Sequence, residues 1–234
     1  MEGLSLQTLK ASGVRVVLHR RFIWPSVALL LLAAALLALT APAERTLGGP
    51  NARLVYFHGA LVWAAIVTWL LAALVGVAAF IRRSDSLHRV SRALGVVGLL
   101  WWALYVPVSI LAANATWANH SWNLTFLLEP RFRVAFQVMA VALLAQAVRF
   151  FDSRPATSSL CNIVVVLVLV FLLGITERVL HPPAPIRDTE SLRIQLAFGG
   201  MTVLLLLAGF QLARWQWHRP SSARPRREGQ RLSG

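Results

Sequence analysis

The sequence predicts an all-α fold: a polytopic membrane protein with six transmembrane helices and both termini cytoplasmic. Three observations predict it. A chain of 234 residues that is 57% hydrophobic and 14% charged is too apolar for an ordinary soluble domain. The apolar residues gather into six runs, each long enough to cross a hydrocarbon core in which a helix must satisfy its own backbone. The positive charge, formally +14, falls between those runs and mostly on alternate sides.

The first run, Phe22–Pro42, has the basic start and apolar middle of a signal peptide. About 20 residues precede it and it is long enough to span, so it reads as a retained anchor helix. The second run is Leu54–Ile81, followed by the arginine pair Arg82-Arg83, and the third is Ala93–Ala113. The fourth, Phe132–Phe150, opens just after Glu129-Pro130-Arg131. The fifth, Leu160–Thr176, is apolar on every side from Ile163 to Leu173, which argues against the alternating pattern of a membrane barrel. The sixth is Ile194–Ala213. This divides the chain into a basic cytoplasmic segment 1–21, a membrane domain 22–214, and a tail 215–234 whose Arg, Ser and Pro content predicts disorder.

Orientation follows from the basic residues. One set of alternate segments holds Lys10, Arg15, Arg20, Arg21, Arg82, Arg83, Arg89, Arg92, Arg149, Arg154 and six arginines from Arg214 to Arg231. The other holds Arg45, Arg53, Arg131, Arg133, Arg178, Arg187 and Arg193. The richer side is expected to be cytoplasmic and to touch the lipid bilayer, so the charge gives no reason to expect nucleic acid. Three loops, near 43–53, 114–131 and 177–193, then face outward. The single Cys161 excludes an internal disulfide, a CxxC centre, a cysteine cluster and the CxxCH haem-attachment motif. Walker A, HExxH, GxSxG and EF-hand patterns are absent, so no hydrolytic or redox active site is expected.

Six histidines remain. His19, His88 and His218 lie in basic stretches of the inner side and read as solvated interfacial residues, while His58, His120 and His181 map to the outer side. His58 stands at the outer start of the second helix in Tyr56-Phe-His58, with Trp63 five residues on, and a polar imidazole there needs a partner. His181 follows the fifth helix, in a segment stiffened by Pro182, Pro183 and Pro185. Two imidazoles at one membrane depth are what an iron–porphyrin needs for a ligand on each side of its plane. The loop between carries Trp117, Trp122 and Phe126 and closes on Glu129 and Arg131. It reads equally as an aromatic belt or as a shelf for a flat apolar ring bearing carboxylates. Asn114, Asn119 and Asn123 match the glycosylation sequon, which Asn-rich loops give by chance.

These residues resemble the haem-handling membrane proteins of c-type cytochrome maturation, the cytochrome c assembly family, and within it the six-helix CcmC type. The likeness covers roughly residues 54–200. Tyr56-Phe-His58 with Trp63 is similar to that family's Tyr-x-His-x-x-x-x-Trp. The 114–131 loop occupies the place of its tryptophan-rich segment, with Leu128-Glu-Pro-Arg131 where the family has Trp-Asp-x-Arg, and Leu180-His181 stands at its second histidine. Only Trp117 and Trp122 remain of the tryptophan cluster, and Gly59-Ala60 replaces the usual Val-Pro.

The resemblance implies haem b bound transiently outside the inner membrane of a bacterium, with His58 and His181 as axial ligands to the iron. Trp63, Trp117, Trp122 and Phe126 would lie against the ring, beside Glu129 and Arg131. It implies delivery to a haem chaperone or apocytochrome c, alongside partner membrane subunits that include an ABC-type transporter. Two other readings stay open on the residues alone: a permease or assembly subunit without cofactor, and an electron-transfer anchor holding haem b permanently.

Overall fold

The computed structural model describes residues 20–44, 49–116, 129–152, 154–177, 186 and 189–218. All six expected spans are helices: α1 (Ile23–Thr40), α2 (Ala52–Arg82), α3 (Asp85–Thr116), α4 (Pro130–Phe151), α5 (Pro155–Ile175) and α6 (Leu192–Trp217). Each is long and apolar enough to cross a membrane. Successive helices run in opposite directions, so one end of the bundle collects Arg20, Arg21, Arg82, Arg83, Arg89, Arg92, Arg154 and Arg214. The other end carries His58.

The helices outrun the apolar segments that predict them. The third begins at Asp85, well before Ala93, because the polar stretch 85–92 continues the helix with His88 and Ser91 turned inward. The fifth begins at Pro155 for the same reason, its first turns burying Ser158 and Ser159. The sixth continues to Trp217, so residues 215–217 are helical where the sequence suggests a tail, and 219–234 lie outside the described residues. At about 1.5 Å per residue, α2 and α3 exceed the roughly 30 Å hydrocarbon core and extend past it. Local signals set the ends. Glu129 caps α4 ahead of Pro130, whose missing N–H costs nothing in the first turn. Arg83 closes α2 in the left-handed conformation (φ 50°), its N–H returning to the carbonyls of Ala79 and Phe80.

The antiparallel pair α2–α3 forms the centre, flanked on one side by α6 and on the other by α5; α1 leans on α6, and α4 leans chiefly on α5. Without a hydrophobic driving force between helices in lipid, close approach has to come from small residues. The buried face of α2 supplies them, with Ala60, Ala64, Ala65, Ala72, Ala73, Gly76 and Ala79. Large side chains then seat on glycine: the Trp69 indole covers Gly98, and its Nε1 donates to the Gly95 carbonyl at 3.2 Å. The outer helix α1 exposes Leu29, Leu32, Leu36 and Leu39, as a lipid-facing helix should.

Candidate functional site

At the His58 end, the start of α2 is bound to the ends of its neighbours. Asn51 donates to the Ala115 carbonyl at 2.9 Å, Arg53 Nε to Ala41 at 3.1 Å, and the buried Tyr56 hydroxyl to Pro42 at 3.3 Å. These bonds hold half-buried His58 one and a half turns inside the helix. Its Nδ1 lies 3.0 Å from the Val55 carbonyl oxygen. A carbonyl only accepts, so Nδ1 carries a proton, the arrangement also found where an imidazole binds a metal through Nε2.

The imidazole lies nearly parallel to the Tyr105 ring of α3, with centroids 5.8 Å apart and planes at 23°. Tyr105 meets Trp102 edge-on at 5.0 Å, and Trp102 meets Trp69 at 5.3 Å. An aromatic column therefore descends from His58 into the bundle, and Trp102 Nε1 ties it to α4 through the Ala135 carbonyl at 2.9 Å. Beside His58, a Cβ on Gly59 would stand 3.0 Å from the Phe198 ring of α6 and 3.8 Å from Ile186 Cδ1. Ile186, which lies between α5 and α6 in the chain, therefore stands near Gly59 of α2.

The expected site residues separate as follows. His58 faces the bundle. Glu129 is buried, with 2% exposure, and caps α4 by accepting from the Arg131 amide; Arg131 is half-buried beside it. Trp63 does not join His58: five residues along a helix is about 140° around it, and Trp63 is 53% exposed on the lipid side. The sequence pattern fixes its spacing but not its face. His181, Trp117, Trp122 and Phe126 lie outside the described residues, as does His120. Among the described residues no group of three or more His, Cys, Asp or Glu converges to hold a metal ion.

The arginine-rich end holds a second polar centre that the sequence does not announce. His88, expected to be solvated, is 5% exposed, with Nδ1 2.7 Å from Ser159 Oγ and its ring edge-on to Phe80. Asn162 of α5 donates to the Ser91 carbonyl at 2.7 Å and to Ser91 Oγ at 2.9 Å, and its Oδ1 accepts from Arg149 Nη2 of α4. Ser91 in turn donates to Ala72 of α2 at 2.8 Å. One connected set of bonds thus joins α2, α3, α4 and α5, and Gly95 makes room for the Asn162 amide, which a Cβ there would overlap. The available signal was polarity inside apolar runs: Asn162 in the fifth and Arg149 in the fourth.

Below Arg149, Asp152 accepts from the Thr157 hydroxyl at 2.7 Å and the Arg154 amide at 3.0 Å, closing the turn into α5. Those two bonds, the Thr157 hydroxyl first, hold its carboxyl below the usual aspartate range.

Fold and site together define a polytopic α-helical membrane protein with one aromatic and one polar centre. Comparison with protein-family models, with curated proteins and with solved structures gives no match to this chain.

Proposed function

We propose that this chain is a membrane haem-binding and haem-delivery protein, presenting haem on the extracytoplasmic face for c-type cytochrome assembly. The observation that carries the reading is the setting of His58. Its Nδ1–H is committed to Val55, which orients the ring as the outer partner of a metal-binding imidazole does. Ile186 lies near Gly59 of α2, the residue after His58. His181 precedes Ile186 by five residues, a reach of at most about 17 Å when extended. Tyr105, backed by the buried Trp102 and Trp69, stacks on the imidazole and holds its orientation, while Arg53 and Arg131 stand at that end as cations for the carboxylates of the cargo. His58 and His181 would hold the iron from opposite sides, with Trp117, Trp122 and Phe126 against the ring. Trp63, turned to lipid, would anchor the helix instead.

Delivery needs a grip that can be released, and a half-buried imidazole near the end of a helix suits that better than a pair locked at mid-membrane. On this reading the arginine-rich end is cytoplasmic, the membrane is the inner membrane of a bacterium, and the acceptor is a haem chaperone or apocytochrome c reached alongside partner subunits. An absorption spectrum tests it. Protein purified after haem-replete expression should carry sub-stoichiometric b-type haem with a low-spin bis-imidazole Soret band, weakened in His58→Ala and in His181→Ala. Unchanged spectra in both variants would remove the ligand assignment, and no haem at all would favour a cofactor-free assembly subunit.

A further inference from the structure

Arg149 is the charge the fold leaves least compensated. It is 6% exposed; its Nη2 donates to the Asn162 side chain and the Cys161 thiol, a weak acceptor, interacts with the guanidinium, while Nε and Nη1 are buried with no close oxygen acceptor. No carboxylate of the described residues bonds to it. The groups whose charge reaches it are Cys161 on α5 and Arg92 on α3, and the second adds to the positive potential. A buried guanidinium in this state is unfavourable unless an anion is supplied, because its hydration is lost without a compensating pair.

We infer that Arg149 is the anchor of a phosphate-binding site, filled by the phosphodiester of an anionic lipid in the leaflet at the arginine-rich end. Depth favours lipid. Arg149 lies two residues before the end of α4, about 3 Å along the axis, so it sits where a helix leaves the hydrocarbon and headgroup phosphates begin. Its neighbours Phe150 and Phe151 are 83% and 85% exposed and meet edge-on at 5.5 Å, presenting paired rings to acyl chains. Phosphate rather than a single carboxylate suits a planar guanidinium whose Nε and Nη1 are both buried without an oxygen acceptor. Seating the headgroup requires a small outward shift of the α4 end, and α4 is a peripheral helix that leans chiefly on α5.

The test uses the full-length protein in detergent, with phosphatidylglycerol, phosphatidylcholine and inorganic phosphate as probes. Native mass spectrometry should show about one phosphatidylglycerol retained per chain in preference to phosphatidylcholine. Retention should fall roughly tenfold in Arg149→Gln, the loss expected when a charged donor set is removed, and should persist in Arg154→Gln, an exposed arginine at the same end. If inorganic phosphate alone raises the melting temperature of the parent protein but not of Arg149→Gln, and phosphatidylglycerol does no more, the anion site stands and its source is free phosphate. Equal retention in parent and Arg149→Gln, or equal loss in Arg154→Gln, overturns it. Should Arg149→Gln fail to fold, Arg149→Lys, which keeps the charge but not the planar donors, takes its place. The melting temperature of the parent protein then also decides: no rise with either phosphatidylglycerol or phosphate over phosphatidylcholine refutes the site.

Discussion

The two ends of the bundle handle polar side chains in opposite ways. At the arginine-rich end, Asn162, Ser91, Arg149, His88 and Ser159 bond mainly to one another across helices, between residues as far as 71 positions apart. At the His58 end the described polar side chains bond mostly to backbone, and often to their own helix: His58 to Val55, Asn114 to Ile110, Thr116 to Ala112 and Ser109 to Val106. A cross-helix network fixes the relative positions of four helices. Bonds to a helix's own backbone orient a side chain without tying it to another.

The same residue type at the two ends puts the comparison to the sharpest test. Asn162→Ala removes the acceptor of a buried guanidinium and both donors to Ser91, so on the order of 3 kcal/mol of stability should be lost. Asn114→Ala removes one bond to its own helix and also eliminates the buried, unpartnered Oδ1, so its cost should stay below about 1 kcal/mol. Thermal or chaotrope unfolding in one detergent measures both. Similar losses at the two positions would erase the distinction between the ends.

Between them in expected size is the packing at the junction of the ends. A methyl on Gly98 would meet the Trp69 indole at 2.5–2.8 Å, and Trp69 is buried and bonded to Gly95. Gly98→Ala should therefore cost about 2 kcal/mol by overpacking and displace Trp69, seen as a shift in tryptophan fluorescence. An unperturbed spectrum with unchanged stability would mean that the aromatic column is looser than its contacts imply.

Much of this architecture is legible in the sequence, and the part that is not has a physical cause. Six apolar runs give six spans because the bilayer leaves no other way to satisfy the backbone. Their ends are misjudged where polar residues continue the helix with one face buried, as at Asp85–Arg92, since hydropathy registers composition and not which side of a turn is covered. The start of α4 lies at Pro130, two residues before the apolar run that predicts it, because the Glu129 cap is a local device that hydropathy does not register. His88 and Ser159 could not be paired in advance, for nothing in the spacing says which face of α3 meets which face of α5. Trp63 is the converse case: a motif gives a spacing of five, and the helix turns that spacing away from His58.

The smallest expected effect concerns the turn that delivers the chain into α5. Asp152 is exposed, but its carboxylate accepts from Thr157 and from the Arg154 amide, and both bonds favour the charged form, which lowers its pKa in the fold. The linkage then has one sign: the carboxylate's contribution is fully present above the ordinary value of about 3.9 and is lost as pH falls through the lower folded value. Between neutral pH and about 4 the turn should not change, whereas below that its amide exchange should quicken, and Asp152→Asn should abolish this acid-dependent step. Titration of the Asp152 carboxyl by NMR gives the direct reading, and a midpoint at or above the ordinary aspartate value would contradict the capping role. Because Arg149 lies only three residues upstream, the same titration asks whether a local turn and a buried network share an anchor: loosening confined to residues 152–157, with the Asn162 side-chain amide unmoved, is what a self-contained cap beneath a separately locked bundle would give.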